Sequence, residues 1–130
     1  MDIALRVSKM IYARRLAVGA VILTKDDAML YGWNGMPAGW DNNCEYHLED
    51  GSLKTNPEVL HAEMNALSKL AKSTLSGRDA TLYLTHSPCI NCAKAVYQAG
   101  ITTVYFKTDY RSDEGAEFLK KCGVVVEKIS

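Results

Sequence analysis

The second half of the chain alternates strand-like and helix-like segments, and this alternation restricts the fold more than any other feature of the sequence. Short apolar runs rich in β-branched and aromatic residues occupy residues 80–86, 101–107 and 124–129. Helical spacing and end signals predict helices that begin near residues 57 and 88, and a third over residues 112–123. Strands that alternate with helices in this way are typical of one central sheet, parallel in this half, with helices on both faces.

The first half predicts an α-helix, a β-hairpin and a long loop. Apolar residues at helical spacing predict a helix over residues 2–15. Two apolar segments, residues 18–24 and 28–34, flank a polar turn and predict the hairpin. Residues 35–57 are rich in Gly, Pro, Asn and Asp without periodicity, and loops of this length are usually functional or disordered. The expected order is therefore α-β-β-α-β-α-β-α-β, in a single α/β domain that spans residues 1–130.

The helix near residue 57 has a local start signal. Asn56 is a favourable N-cap, Pro57 suits the first helical position, and Glu58 suits the positive end of the helix dipole. The pattern then predicts one apolar stripe on this helix, formed by Leu60, Met64, Leu67 and Ala71.

The balance of charge and hydrophobicity argues against several classes of protein. Lys and Arg number 15 and Asp and Glu number 15, so the formal net charge is zero. A protein that gains affinity from nucleic-acid phosphates usually carries a basic surplus, so long nucleic acid is not expected as a partner. No apolar run approaches the roughly 20 residues of a membrane span, and the first 15 residues lack a signal-peptide core. A cytoplasmic location without membrane partners is expected.

Four cysteines are present, and two of them lie only three positions apart. The spacing of Cys89 and Cys92 suits metal or redox chemistry in a reducing compartment better than a structural disulfide. Cys122 precedes the last predicted strand and is expected to be a free thiol packed against a helix end.

Two short motifs place metal-binding residue types near predicted helix starts. The HAE motif occupies residues 61–63, and the PCINC motif occupies residues 88–92. Thiolate and imidazole are the preferred ligands of Zn²⁺, and a helix N-terminus favours the thiolate that a metal requires. The ligands His61, Cys89 and Cys92 leave one tetrahedral position open, which is typical of a catalytic zinc.

Glu63 is the expected general base beside a water activated by this zinc. On a regular helix, however, residues two positions apart point in nearly opposite directions. His61 and Glu63 therefore converge on one metal only if the ion lies off the helix end.

The residues alone leave three alternatives open. The CxxC motif could be a redox pair. A structural zinc could take Cys44 or His47 as its fourth ligand. Glu63, considered by itself, could be a solvated helix residue.

The HxE and PCxxC motifs together form the signature of zinc-dependent base deaminases. Further segments appear in the order typical of one family: VGAVI at 18–22, GWNGMPAG at 32–39, HAEMNAL at 61–67, SPCINCAKAV at 87–96, QAGI at 98–101 and YFKTDY at 105–110. Over nearly its whole length the chain therefore resembles the cytidine and deoxycytidylate deaminase superfamily, and most closely its deoxycytidylate (dCMP) deaminases. The GWNGMPAG stretch and the Ala93-Lys94 pair carry the finer resemblance.

The resemblance implies a three-layer α/β/α cytidine-deaminase-like fold, with a five-stranded mixed sheet flanked by helices. It implies hydrolysis of dCMP to dUMP and ammonia, a reaction that supplies the precursor of dTMP. Glu63 would take a proton from the zinc-bound water and pass it to N3 of cytosine, while hydroxide attacks C4. Substrate contacts are expected from Asn34, Ala62, Ser87, Pro88 and Tyr110.

The resemblance also implies regulation by activating dCTP and inhibiting dTTP, with Mg²⁺ accompanying the nucleotide, in a homo-oligomer of six chains. The effector site is expected at the glycine-rich stretch that includes Gly32, Trp33 and Gly35. A glycine-rich turn exposes backbone N–H groups that can approach phosphate closely.

Other questions stay open at this level. Trp33 stands where the family commonly has tyrosine, and Cys44, His47 and His86 could build a second, structural zinc site. Five cationic residues are candidates for binding the 5′-phosphate: Arg14, Arg15, Lys72, Lys107 and Arg111. The rival functions are deamination of another base (tRNA adenosine, cytidine or a free base) and a non-catalytic zinc-binding module.

Overall fold

A five-stranded mixed sheet lies at the centre of the computed structural model, which describes residues 1–9, 17–41 and 43–129. In chain order the elements are α1 (Asp2–Ser8), β1 (Gly19–Leu23), β2 (Met29–Trp33), β3 (Glu45–His47), β4 (Leu53–Thr55), α2 (Ala62–Ala71), β5 (Thr81–His86), α3 (Ile90–Gln98), β6 (Thr103–Thr108), α4 (Glu114–Lys121) and β7 (Val125–Lys128). The strand order is β2-β1-β5-β6-β7. Strand β1 is antiparallel to β2 and β5, whereas β5, β6 and β7 are parallel. The predicted α/β class, mixed sheet and parallel second half are confirmed.

The two faces of the sheet carry different helices, because successive strand residues point to opposite sides. One face packs against α2, α3 and α4, and its core contains Ala20, Ile22, Leu82, Leu84, Val104, Phe106, Ala62, Ala66, Leu70, Ala93, Val96 and Leu119. On the opposite face α1 lies directly against Gly19, where an added Cβ would clash with the carbonyl oxygen of Ala4.

The predicted elements are confirmed with their ends within two residues, apart from the end of α1, the loop and the first end of α2. The helix predicted over residues 2–15 is confirmed over Asp2–Ser8, and residues 10–15 lie outside the described part of the chain.

The region predicted as a loop, residues 35–57, contains a second, two-stranded sheet formed by β3 and β4. The sequence prediction missed it because strands of three residues, EYH and LKT, are too short to show alternation. One local signal was available: the Asp50-Gly51 pair is typical of a hairpin turn, and Gly51 adopts the positive φ of 85° that such a turn requires.

The helix predicted to start near residue 57 starts later. It begins at Ala62, with His61 as its N-cap. The N–H of Leu60 donates to the carbonyl of Gly35 at 2.8 Å, and the N–H of Gly35 donates to the carbonyl of Leu60 at 3.0 Å. This β-bridge keeps the backbone extended at Leu60, so the local start signal yields to a long-range pairing.

The buried face of α2 also differs from the predicted stripe. Its buried residues are Ala62, Glu63, Ala66 and Leu70. Met64, which the stripe placed inside, is 37% exposed. The reason is the close approach of the helix to β2: an added Cβ at Gly32 would lie 2.6 Å from both the Ala62 carbonyl oxygen and the Ala66 nitrogen.

Replacing Gly32 with Ala should therefore push α2 away from the sheet. Overpacking of this kind typically costs about 1–3 kcal/mol in the free energy of unfolding. Gly35→Ala is the matched control, because its added Cβ would meet nothing nearer than 3.9 Å and the backbone there is compatible with alanine. We expect urea unfolding to show a loss for Gly32→Ala and no comparable loss for Gly35→Ala. Equal stability of the two variants would contradict the close-packing argument.

Candidate active site

The N-caps of α2 and α3 lie next to each other and carry two of the predicted metal ligands. His61 caps α2 with φ −71° and ψ 155°, and Cys89 caps α3 with φ −71° and ψ 165°. Both residues therefore have extended backbone and lie outside the helical repeat. The sequence analysis required the metal to lie off the helix end if His61 and Glu63 were to face it together. This requirement is met, because His61 caps the helix and the opposed directions of residues two positions apart apply only within a helix.

The ligand atoms of His61, Cys89 and Cys92 form a compact group. The His61 Nδ1 atom lies 3.3 Å from Cys92 Sγ and 3.6 Å from Cys89 Sγ. All three ligand atoms lie within 4.8 Å of one another. A tetrahedral zinc with ordinary bond lengths would separate nitrogen from sulfur by about 3.6 Å. The donor set and its spacing thus fit Zn²⁺.

Hydrogen bonding within this group makes the two thiols different. The pKa of Cys89 is lowered to about 3, because the Cys92 thiol and then His61 hydrogen bond to its thiolate. The same bond to Cys89 raises the pKa of Cys92 above the ordinary thiol range, with burial as the next cause. The bond to Cys89 also raises the pKa of His61. Cys89 is therefore the thiolate of this group, stabilised by its two hydrogen-bonded neighbours.

Glu63 lies in the first turn of α2, beside this group. Its side chain is only 5% exposed, and burial raises the pKa of its carboxyl group. The positive influence of His61 acts in the opposite direction and is weaker. A buried carboxyl group next to the metal ligands is placed to exchange protons with a reacting molecule.

A cavity of about 280 Å³ opens beside the metal-ligating group. Four of the five predicted substrate-contacting residues line it: Asn34, Ala62, Ser87 and Tyr110. The fifth, Pro88, is buried outside the lining, and its carbonyl oxygen faces α4 at Gly115. His61, Glu63 and Cys89 also line the cavity, so residues of the metal-ligating group and the predicted substrate-contacting residues share one space.

Asn34 is held in a defined orientation at the cavity wall. Its Oδ1 atom accepts a hydrogen bond of 2.9 Å from the backbone N–H of Val18. The residue before β1 thereby orients the amide plane of Asn34 at the cavity wall.

The hairpin region supplies a wall that the sequence analysis did not assign to the substrate. Cys44, Glu45, Thr55 and Val59 all line the cavity, and Glu45 is buried with 3% exposure. A polar loop without periodicity offers no signal for such burial. Among the described residues, the metal-ligating group of three contains neither Cys44 nor His47, and these two residues are not grouped with His86 in a second site.

A second groove, of about 370 Å³, lies between the glycine-rich stretch and α2. The predicted effector residues Gly32, Trp33 and Gly35 line it, together with Lys69 and Lys72. The Lys69 ammonium lies 5.3 Å from the centre of the Trp33 ring. Desolvation, with a smaller contribution from Lys72, lowers the pKa of Lys69. The groove thus combines an aromatic ring with two cations.

Comparison with known proteins identifies the family. The protein-family model described as "Cytidine and deoxycytidylate deaminase zinc-binding region" matches residues 1–108 of the sequence. The chain belongs to this family of zinc-binding deaminases, and the prediction of a zinc-dependent hydrolytic deaminase is confirmed at that level.

Individual relatives agree with this assignment. The crystal structure of dCMP deaminase from the cyanophage S-TIM5, in complex with dCMP and dUMP, is 45% identical with a TM-score of 0.89, covering 98% of this chain and 92% of that chain. ComE operon protein 2 of Bacillus subtilis is 38% identical, and the match spans 88% of this chain but 61% of that protein. Human deoxycytidylate deaminase is 31% identical over 84% of this chain and 71% of its own length.

Within the described residues, no helix has the length and apolarity needed to cross a membrane.

We expect purified protein from zinc-replete cells to contain about one zinc per chain, because three ligands converge in the geometry that Zn²⁺ prefers. Cys92→Ser should lose most of the metal. Cys122→Ser is the matched control, since Cys122 is a free thiol outside the group. Metal analysis by mass spectrometry measures both. Less than half an equivalent in active wild-type protein would contradict the site.

Proposed function

We propose that this chain catalyses the zinc-dependent hydrolysis of dCMP to dUMP and ammonia. The observation that carries the proposal is the cavity in which the His61, Cys89 and Cys92 group meets the buried carboxyl group of Glu63. The similarity to the cyanophage enzyme, whose structure contains dCMP and dUMP, supports the choice of nucleotide.

In this proposal His61, Cys89 and Cys92 hold the zinc. Zinc bound by these residues would supply a Lewis acid that makes a water molecule ionise near neutral pH. Cys89 and Cys92 present their sulfurs from the first turn of α3, where the N–H of Cys92 also donates to Cys89 Sγ at 3.5 Å. This bond stabilises the thiolate required of a ligand.

Glu63 is the proton carrier. It takes a proton from the attacking water and delivers it to N3 of cytosine, and it then assists the departure of ammonia. A bond forms between C4 and the water oxygen, and the bond between C4 and the exocyclic nitrogen breaks. The buried position of Glu63 keeps bulk water from competing for this proton.

The walls of the cavity position the nucleotide. Asn34, Ala62, Ser87 and Tyr110 are the proposed substrate contacts, and Asn34 is the best oriented because Val18 fixes its amide. A cavity of about 280 Å³ suits a single nucleotide.

The decisive measurement is a comparison of rates for dCMP, cytidine, guanine and tRNA. We expect dCMP to have the highest kcat/KM. Glu63→Gln should retain zinc and fold but lose about 10⁴-fold or more in kcat, at the upper end for a positioned acid or base, because Glu63 handles several proton transfers. Glu127→Gln, at an exposed position of β7, is the control. A Glu63 variant with a tenth of the wild-type kcat would assign the proton transfers to another group.

We also propose regulation by nucleoside triphosphates at the second groove. Lys69 and Lys72 would pair with phosphate oxygens, Trp33 would contact the base or sugar, and Mg²⁺ would accompany the triphosphate. Asn34 and Cys44 line both the groove and the catalytic cavity, so a ligand in one space touches residues of the other.

We further propose that the chain forms a single domain and assembles as a homo-hexamer. We place it in the cytoplasm, where its four free cysteines remain reduced.

With Mg²⁺ present, dCTP should lower the half-saturating dCMP concentration and dTTP should raise it, each by about fivefold or more. The double variant Lys69→Met with Lys72→Met should lose both shifts, whereas Lys94→Met, exposed on α3, should keep them. Saturation curves and light scattering measure regulation and assembly. Superimposed curves from a monomeric protein would contradict the regulatory proposal and leave the deaminase proposal standing.

A further inference from the structure

Two side chains of α2 bind the outer edge of β2. In the described part of the chain β2 is an edge strand, so its outer row of carbonyl groups faces no other strand. Asn65 Nδ2 donates to the carbonyl of Trp33 at 2.6 Å, and Lys69 Nζ donates to the carbonyl of Tyr31. The spacing matches, because four residues of helix advance about 6 Å and two residues of strand advance about 6.8 Å. Helix α2 is thereby held in register along β2.

Close packing fixes the position of Asn65 over the end of β2. Its side chain is partly buried, and its Cβ lies 3.0 Å from the place that an added Cβ at Gly32 would take. Its backbone N–H donates to the carbonyl of His61 at 3.0 Å. Asn65 therefore lies one helical turn after the metal ligand His61, while its side chain binds the peptide group that leads into Asn34.

Asn34 is held through both of its peptide groups. The carbonyl of Trp33 and the N–H of Asn34 belong to one peptide plane, which the bond from Asn65 orients. The next plane contains the N–H of Gly35, which donates to the carbonyl of Leu60 at 3.0 Å. Only φ and ψ of Asn34 lie between the two planes, so holding both planes determines the direction of its side chain.

Both supports of Asn34 come from residues close to the metal-ligating group. Leu60 directly precedes His61, and Asn65 follows it by one turn. Asn34 and His61 line the same cavity, and the Oδ1 atom of Asn34 is bound there by the N–H of Val18. Two hydrogen bonds on either side of His61 thus set the distance between the amide of Asn34 and the metal ligands.

Asn65 is not placed to contact the nucleotide in the catalytic cavity. It lines the second groove and is absent from the cavity lining. Its nitrogen is engaged by a backbone carbonyl that lies 32 positions earlier in the chain. Water can also satisfy the carbonyl of an edge strand, so this bond serves the geometry of β2 more than its folding.

We infer that Asn65 is a positioning residue for the deamination, which holds Asn34 in place relative to the zinc ligands by binding the carbonyl of Trp33. The inference rests on the proposed function, because it takes Asn34 as a contact of the nucleotide. It gives the last residue of the HAEMN segment, residues 61–65, a task separate from metal binding and proton transfer.

The first test is a double-mutant cycle on kcat/KM for dCMP, measured with zinc-loaded protein. Asn65→Ala removes the donor, and Asn65→Asp keeps the shape but places an acceptor against the carbonyl. Each should lower kcat/KM by about 10- to 100-fold with unchanged zinc content, because a contact displaced by about 1 Å loses most of its value. In an Asn34→Ala background the same changes should cost less than about twofold, since the residue through which Asn65 acts is gone. Ser68→Ala is the control, because its hydroxyl donates within α2 to the carbonyl of Met64.

Amide hydrogen exchange by NMR tests the geometry without substrate. The N–H of Val18 is protected by Asn34 Oδ1, whereas the N–H of Gly19 is protected by Thr85 Oγ1. Asn65→Ala should accelerate exchange at Val18 by about fivefold, the usual worth of one hydrogen bond, and leave Gly19 unchanged. The control variant should change neither. A general loss of folding stability would accelerate both.

The outcomes separate this inference from the proposed function. Additive losses in the cycle, or exchange at Val18 that stays at the wild-type rate, would overturn the positioning role and leave the deaminase proposal standing. Equal acceleration at Val18 and Gly19 would also overturn it, because Asn65 would then act only on overall stability. Wild-type protein that does not deaminate dCMP would overturn the role in deamination together with the proposed function, and accelerated exchange at Val18 alone would still show that Asn65 holds Asn34.

Discussion

The close approach of α2 to the sheet is the constraint on which the active site depends. Gly32 leaves no side chain between β2 and the first turn of α2, so the helix backbone lies directly on the strand. The extended N-cap at His61 then directs its imidazole toward the thiols at the start of α3. Gly115 plays the corresponding part for α4, because an added Cβ there would clash with the carbonyl oxygens of Pro88 and Cys89. Interior packing at native density tolerates neither clash without movement of the backbone that carries the ligands.

This packing concentrates groups whose charges conflict in the absence of a cation. Two thiols, an imidazole and a buried carboxyl group lie together at two helix N-termini. A buried charge is costly unless it is paired or bound to a metal. Binding of zinc would therefore stabilise the arrangement that the helices impose, and metal affinity and folding should be linked. The same low exposure that makes the site costly protects a proton carried by Glu63 from bulk water.

The segment between β2 and α2 joins two spaces with different chemistry. One side of the segment lines the catalytic cavity with Cys44, Glu45 and Thr55. The other side lines the second groove, to which Trp33 contributes an aromatic ring and Lys69 and Lys72 contribute two cations. Asn34 and Cys44 belong to both linings. A segment shared by two sites is a physical basis for coupling, provided that it has two arrangements which the two ligands stabilise unequally. Its length, which is unusual for a plain connection, is accounted for by these two linings.

The sequence by itself determined the chemistry and the frame of this protein. Ligand identity resides in residue types, so the HAE and PCxxC motifs predicted a zinc site, and their resemblance to the signature of a known family added the deaminase reaction. Long periodic segments were sufficient to predict the sheet and its parallel half. Only the tertiary structure decided where α2 begins, because the pairing of Gly35 with Leu60 overrides the local signal at Asn56. It likewise assigned Glu45 to the cavity wall and selected Arg111 over Lys72 as a cavity cation. These features depend on contacts between residues distant in the chain, whose energies no local pattern of side chains encodes.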